Sequence, residues 1–161
     1  MSTTSTLPDH SLSIVVPMHN EMENVVPLVT RVEECLGNYP WPWELVIIDD
    51  GSTDGTWFRL SQHATEVGPH IRALRLQRNF RQTAAMQAGI DCARGDVIVT
   101  MDGDLQNDPR DIPMLVEHLL VEDKDIVAGW RQNRQDGFLL RKIPSYFANR
   151  LIRKVSGLNF K

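Results

Sequence analysis

Five short runs of apolar and β-branched residues constrain the fold of this chain most strongly. They begin at residues 12, 44, 71, 96 and 125 and read LSIVVP, ELVIID, IRALRLQ, DVIVTM and DIVAGW. Each run is apolar at almost every position, as is typical of strands covered on both faces. Helix-like segments separate the runs, so the sequence predicts an α/β fold with a Rossmann-like, mostly parallel sheet and helices on both faces.

Four segments between these runs have helical periodicity. They are ENVVPLVTRVEECL, DGTWFRLSQHATEV, QTAAMQAGIDCA and PRDIPMLVEHLLVE, beginning at residues 23, 54, 82 and 109. Small polar residues that suit helix N-termini stand near three of the starts, at Asn24, Asp54 and Asp108. In such a sheet, ligands bind beyond the carboxyl ends of the strands, which directs attention to those ends.

The length of 161 residues and a hydrophobic content of 42% suit one domain with a core. We expect residues 1–11 to be a disordered tail and residues 12–130 to form the core. Residues 131–161 contain eight Lys and Arg against one acid, within a chain of net charge −4. This segment predicts a basic loop and an amphipathic helix that faces an anionic surface or the acidic core.

No apolar run reaches the roughly 18 residues of a membrane span, and the N-terminus does not resemble an export signal. Cys35 and Cys92 stand apart from each other, so we expect buried thiols in a reducing compartment, that is, a cytoplasmic protein.

The run VIVTMDGDLQNDP, residues 97–109, ends in alternating carboxylates. Asp102 and Asp104 would point to the same side of the strand end, with Gly103 leaving room between them. Gln106 adds a third oxygen, and such ligands suit Mg²⁺ or Mn²⁺. Spacing alone is weak evidence, because an equal Asp-x-Asp pair recurs at residues 123–125, and an Asx turn is the alternative.

The turn IIDDGSTDGT gives a second candidate site at Asp49 and Asp50. These carboxylates could accept hydrogen bonds from a nucleobase or ribose, or they could serve only the turn and the following helix. No G-x-G-x-x-G follows the first strand and no P-loop motif occurs, which disfavours a dinucleotide oxidoreductase or a P-loop NTPase.

Four ordered blocks carry a family resemblance. They read SIVVPMHNEMENV, ELVIIDDGSTDGT, RNFRQTAAMQAGIDCARGDVIVTMDGDLQNDPRDIP and VAGWRQNRQD. Together they resemble the inverting family-two GT-A glycosyltransferases that load sugars onto polyprenyl phosphates, the dolichol- and undecaprenyl-phosphate sugar synthases. The resemblance implies a GT-A fold and transfer from a nucleoside-diphosphate sugar, a UDP- or GDP-sugar, to a polyprenyl phosphate.

The resemblance also implies roles for individual residues. Donor binding falls to Pro17, Asn20, Glu21, Asp49, Asp50, Arg78, Asn79, Gln82 and Asp102. Asp102, Asp104 and Gln106 would bind Mg²⁺ or Mn²⁺, and Arg131 and Arg134 would meet the acceptor phosphate. Catalysis would rest on Asp102, Asp104 and Arg131, mostly through alignment of the substrates and stabilisation of the leaving diphosphate.

The implied partners are the sugar nucleotide, the lipid phosphate and a membrane surface, with no nucleic acid. The implied location is the cytoplasmic face of the membrane, residues 131–161 forming the acceptor and membrane side. A homo-oligomer is left open.

Three departures from the resembled family stand out. Arg81 replaces a usual glycine, Gly103 replaces a usual alanine as a mild change, and the chain ends at Lys161 where relatives continue. We therefore expect a catalytic half, with a nucleotide-sugar-binding module that lacks transfer activity as the main alternative. A Mg²⁺-dependent phosphatase of the haloacid-dehalogenase type and a sugar nucleotidyltransferase are weaker alternatives.

Overall fold

A computed structural model describes residues 7–129. Its four strands are β1 (Leu12–Met18), β2 (Trp43–Asp49), β3 (Ile71–Arg75) and β4 (Val97–Thr100). Its four α-helices are α1 (Val25–Leu36), α2 (Thr56–Val67), α3 (Gln82–Cys92) and α4 (Ile112–Val121). Short 3₁₀ turns at Met22–Asn24 and Pro109–Asp111 precede α1 and α4.

The described strands form one sheet in the order β3-β2-β1-β4, and every pair is parallel. Met18 at the end of β1 lies beside Asp49 at the end of β2, and Val15 lies beside Thr100 of β4. The segments that follow β1, β2 and β4 therefore leave the sheet at a common edge. This edge is the one at which parallel α/β sheets bind ligands.

The core lies on both faces of the sheet, as alternation along β1 requires. All seven β1 residues are buried. Ile14 and Val16 pack with residues of α1, α2 and α4, whereas Val15 and Ile48 pack with Ala85 of α3 on the opposite face. The prediction of a parallel sheet covered by helices on both faces is confirmed.

The fifth predicted strand is wrong for the part of it that the structure describes, residues 125–129, which form no strand. Ile126, an apolar residue that the prediction placed in the sheet, is 85% exposed. None of the described strands pairs with this segment, so its backbone lacks the ladder hydrogen bonds that a strand needs. Residues 130–161, including Trp130 of the predicted strand and the predicted amphipathic helix, lie outside the described residues.

Residues 7–11, which the prediction placed in the disordered tail, are among the described residues. His10 is buried against Tyr39 and Trp41, and Ser11 donates a hydrogen bond of 2.6 Å from its hydroxyl to Asp96. Aromatic packing and hydrogen bonding thus fix His10 and Ser11, which the prediction placed in the disordered tail. Residues 1–6 lie outside the described residues.

The cysteines and the membrane-span prediction can both be compared with the described residues. Cys92, the last residue of α3, is exposed and Cys35 is half-buried, so the prediction of two buried thiols is wrong. Within residues 7–129, no helix has the length and apolar character needed to cross a membrane.

Candidate functional site

A cavity of about 510 Å³ lies at the edge where β1, β2 and β4 end. Its walls come from the end of β1, the segments after these three strands, the loop before α3 and the start of α3. The lining residues are Pro17, Met18, His19, Glu21, Asp50, Asn79, Arg81, Gln82, Asp102, Gly103 and Asp104. Seven of these residues belong to the site predicted from sequence, although they lie as much as 87 positions apart in the chain.

Asp102 and Asp104 lie on the β4 side of the cavity, and both are exposed to solvent. The Gln82 side-chain amide at the start of α3 donates a hydrogen bond of 2.6 Å to Asp102 Oδ1. Asp104 Oδ1 accepts a hydrogen bond of 3.0 Å from the Gln106 backbone N–H. Gln82 therefore orients Asp102, and the Asx-type turn at Asp104 coexists with its position in the cavity.

Glu21 brings a third carboxylate to this wall. Burial raises the pKa of the Glu21 carboxyl above its usual range, and the negative charges of Asp104 and Asp102 raise it further. Its Oε2 atom is buried and has no hydrogen-bond partner among the described residues. A buried, unpartnered carboxylate oxygen beside two other acids is a place where positive charge would be stabilised.

Gly103 allows this crowding of acids. A Cβ atom at Gly103 would lie 2.7 Å from Glu21 Oε2 and 2.8 Å from Met18 Cγ, closer than van der Waals contact permits. Replacing Gly103 by alanine would therefore require the Glu21 or Met18 side chain to shift.

Adjacent residues Asp49 and Asp50 have different roles. Asp50 lines the cavity, and its Oδ1 atom accepts a hydrogen bond of 2.7 Å from the Phe80 backbone N–H, which holds the loop before α3 at the cavity. Asp49 is fully buried behind the cavity, where it accepts a hydrogen bond from Ser52 N–H and lies 3.3 Å from Arg75 Nε. The turn interpretation thus suits Asp49, and the ligand interpretation suits Asp50.

His19 is a cavity residue that the sequence analysis did not select. Its Nδ1 atom lies 2.8 Å from the Asp50 carbonyl oxygen, and its Nε2 atom lies 2.9 Å from the Asn79 side-chain nitrogen. A carbonyl can only accept, so this network assigns the proton to Nδ1 and makes Nε2 the acceptor from Asn79. The signal that could have identified His19 is its place between Pro17 and Glu21 at the end of β1.

The structure does not bring three other predicted residues into the cavity. Gln106 lies in a separate groove with Arg31 and Cys35, because the chain turns at Leu105 with a φ of +62°. Asn20 accepts a hydrogen bond of 2.9 Å from the Thr53 N–H and so joins two loops.

Arg78 is the third of these residues, and its guanidinium stacks 4.8 Å from the centre of the Phe80 ring. Arg131 and Arg134 lie outside the described residues.

The carboxylates at the cavity fit a divalent cation that a ligand helps to bind. Within residues 7–129, no three His, Cys, Asp or Glu side chains form a complete metal site. Mg²⁺, however, commonly takes one or two protein carboxylates and completes its shell with water and substrate phosphates. Asp102 and Asp104 can supply these two carboxylates, with the unpartnered Glu21 oxygen nearby.

The parallel sheet, the acidic edge cavity and the family comparison define one class of protein. Residues 13–159 match Glycosyl transferase family 2, so this chain belongs to that family. The predicted family is confirmed.

Curated bacterial proteins are similar to most of this chain. The chain is 54% identical over 147 residues to dodecaprenyl-phosphate galacturonate synthase of Rhizobium johnstonii, covering 91% of this chain and 44% of the relative. It is 40% identical over 147 residues to undecaprenyl-phosphate 4-deoxy-4-formamido-L-arabinose transferase of Pectobacterium carotovorum, again covering 91% and 44%. The chain thus spans less than half the length of these relatives.

Solved structures of glycosyltransferases share the fold. A mannosyltransferase of Pyrobaculum calidifontis in complex with GDP-Man and Mn²⁺ aligns with a TM-score of 0.59 at 22% identity, over 69% of this chain and 32% of that one. Glucosyl-3-phosphoglycerate synthase of Mycobacterium tuberculosis, in complex with Mn²⁺, UDP and glucosyl-3-phosphoglycerate, aligns with a TM-score of 0.55 at 24% identity, over 69% and 40%. These likenesses confirm the predicted GT-A fold.

Proposed function

We propose that this chain forms the donor-binding part of a glycosyltransferase that moves a sugar from a nucleoside-diphosphate sugar to a polyprenyl phosphate, with inversion. The observation that carries the proposal is the cavity in which Glu21, Asp102 and Asp104 meet at the carboxyl edge of the sheet. The curated relatives are named for polyprenyl-phosphate substrates, which supports a polyprenyl phosphate as the acceptor.

The chemistry requires little proton transfer from the protein. A phosphate oxygen of the lipid is already an anion, so it can attack the anomeric carbon while the bond from that carbon to the diphosphate oxygen breaks. One such displacement inverts the configuration. A divalent cation held by Asp102 and Asp104 would supply positive charge for the departing diphosphate.

The other cavity residues would position the donor. Gln82 fixes the orientation of Asp102 through a hydrogen bond of 2.6 Å. Asp50 holds the loop before α3 through the Phe80 N–H, and His19 connects that loop to the end of β1 through Asn79. A loop held at both points keeps the cavity in shape before the donor arrives, which lowers the entropy lost on binding.

The acceptor side is proposed from sequence. Arg131 and Arg134 would bind the lipid phosphate, and the basic segment 131–161 would lie on the cytoplasmic face of a membrane, where Lys and Arg meet anionic headgroups.

Calorimetric titration with UDP and with GDP, with and without MgCl₂ or MnCl₂, tests donor binding. We expect one nucleotide to bind about tenfold or more tightly with metal, because the cation offsets repulsion between diphosphate and carboxylates. The double variant Asp102→Asn/Asp104→Asn should lose this gain. The matched control Asp123→Asn/Asp125→Asn, with the same spacing outside the cavity, should keep it. Equal metal dependence in both variants would contradict the assignment.

A nucleotide-sugar-binding module without transfer is the second candidate. The cavity is built entirely from residues between Pro17 and Asp104, whereas the arginines expected to meet the acceptor lie beyond residue 129. Incubating the chain with a radiolabelled sugar nucleotide and a polyprenyl phosphate separates the two. Labelled lipid product would exclude the module, and donor binding without product would favour it.

The phosphatase alternative loses its support. In phosphatases of the haloacid-dehalogenase type the Asp-x-Asp motif typically ends the first strand, whereas in this chain β1 ends at Met18 and Asp-x-Asp follows β4. The chain also belongs to a glycosyltransferase family.

A further inference from the structure

Arg81 has a backbone conformation that suits glycine. Its φ of 75° and ψ of 162° lie in a region that residues with a side chain rarely adopt. The conformation is held by the Asn79 side chain, which accepts a hydrogen bond of 2.9 Å from the Arg81 N–H, and by the Arg81 carbonyl, which accepts bonds from the N–H groups of Ala84 and Ala85. Glycine would make all of these bonds with less strain, so the loop does not need the arginine side chain.

The Arg81 side chain nevertheless lines the cavity. Among the described lining residues it is the one Lys or Arg, and it faces a cavity with four acids: Glu21, Asp50, Asp102 and Asp104. Within residues 7–129, no carboxylate forms an ion pair with it. The guanidinium is therefore available to a ligand in the cavity.

The charge of the cavity limits which donor sugar can enter it. The diphosphate is common to every nucleoside-diphosphate sugar. A divalent cation bound by Asp102 and Asp104 would already balance the charge of that diphosphate. Arg81 keeps a strained backbone conformation, and the loop does not need its side chain. Its positive charge therefore points to a further anionic group on the donor. Without Arg81, the four cavity acids would repel a sugar that carries its own carboxylate.

We propose that Arg81 is a specificity residue that binds the carboxylate of a uronic-acid donor sugar, an inference that rests on the proposed function. A guanidinium can donate two parallel hydrogen bonds to one carboxylate, which gives both charge and orientation. A neutral hexose presents a hydroxymethyl group at the same carbon and gains much less from this contact.

Calorimetry with UDP, UDP-galactose and UDP-galacturonic acid in the presence of MnCl₂ tests the proposal. The two sugars differ at C6, hydroxymethyl against carboxylate. The wild-type chain should bind the uronic acid about tenfold or more tightly than galactose, as expected for a charge-assisted pair. Arg81→Gln and Arg81→Gly should abolish this ratio while UDP affinity changes little. Arg81→Lys should keep part of the preference for the uronic acid. The control Arg59→Gln, which changes an exposed arginine on α2, should keep the whole preference.

The outcomes separate this inference from the proposed function. If Arg81→Gln weakens UDP and both sugars equally, Arg81 binds the diphosphate and the inference is overturned. The inference is also overturned if the wild-type chain binds UDP without preferring the uronic acid, although donor binding would then stand. If the chain binds neither UDP nor GDP, both fail. A melting temperature that rises in Arg81→Gly while the ratio is lost would support the view that this strain serves recognition.

Discussion

Glu21 is the residue at which the electrostatics of the cavity can be measured without a ligand. Its carboxyl is half-buried near Asp102 and Asp104, and burial followed by these charges raises its pKa. The folded chain thus binds a proton at Glu21 more readily than the unfolded chain does. In the unfolded chain the group titrates near its ordinary value of 4.5.

Replacing Glu21 by glutamine should therefore stabilise the protein in a pH-dependent way. As pH rises from the unfolded pKa through the raised folded pKa, the wild-type chain loses stability because the charged carboxylate is disfavoured in the fold. Glu21→Gln lacks this loss, so its melting temperature should exceed that of wild type near neutral pH and approach it below pH 4.5. Thermal melts of both proteins from below pH 4.5 to neutral pH measure this difference in melting temperature. Glu23→Gln, exposed and two residues away, should show no such trend.

The sequence predicted the acidic residues of the cavity better than the residues that surround them. Asp102 and Asp104 were found because an apolar run ends in a short acidic motif, although β4 ends at Thr100 and both residues lie after the strand. Asp49 and Asp50 could not be told apart, because one position along the strand decides which carboxylate is buried and which reaches the cavity. His19 was missed, because its role depends on Asn79, 60 residues further along the chain.

Helix α3 is the element on which the cavity depends most, since it carries Gln82 at its start and packs on the sheet through Gly89. A Cβ atom at Gly89 would lie 2.4 Å from both Ile48 Cδ1 and Val15 Cγ1. The helix axis therefore lies at a distance from the sheet that a glycine sets. Moving α3 outward would also move Gln82 away from Asp102.

Gly89→Ala should destabilise the fold by about 1–3 kcal/mol, the usual cost of overpacking, although alanine is ordinarily the better helix former. Chemical denaturation checks this value. Thr83→Ala, on the exposed side of the same helix, should change the free energy of unfolding by less than about 0.5 kcal/mol. A gain in stability from Gly89→Ala would mean that α3 moves freely on the sheet.

The elements were largely predictable. Four strands and four helices follow from apolar runs and helical periodicity, because burial on both faces of a sheet leaves a strong local pattern. The fifth strand was wrong for residues 125–129, since an apolar run predicts a strand only where another strand can pair with it.

For the whole molecule, the strongest feature is the division of charge along the sequence. Residues 131–161 carry a net charge of +7 within a chain of −4, so residues 1–130 carry −11. A segment this basic is attracted to anionic lipid, and each added Lys or Arg near such a surface contributes about 1 kcal/mol.

We therefore expect the chain to sediment with vesicles that contain phosphatidylglycerol and not with pure phosphatidylcholine vesicles. Salt should weaken this binding by screening. Arg153→Gln/Lys154→Gln removes two charges, about 2 kcal/mol, and should reduce the affinity about thirtyfold. The control Arg59→Gln/Lys124→Gln removes the same charge from exposed positions outside the basic segment and should have little effect on vesicle binding. Equal binding by both variants would mean that net charge, not the basic segment, governs the interaction.

The sequence by itself determined the α/β class, the order of the elements, the pair Asp102 and Asp104, and the resemblance to glycosyltransferases, because each is written in local patterns or ordered motifs. The tertiary structure alone decided which side chains share the cavity. It excluded Gln106 and Asp49, and it brought in His19 and Arg81. The physical reason is that a cavity forms where distant segments leave the sheet together, and a single turn or one strand position moves a side chain out of reach.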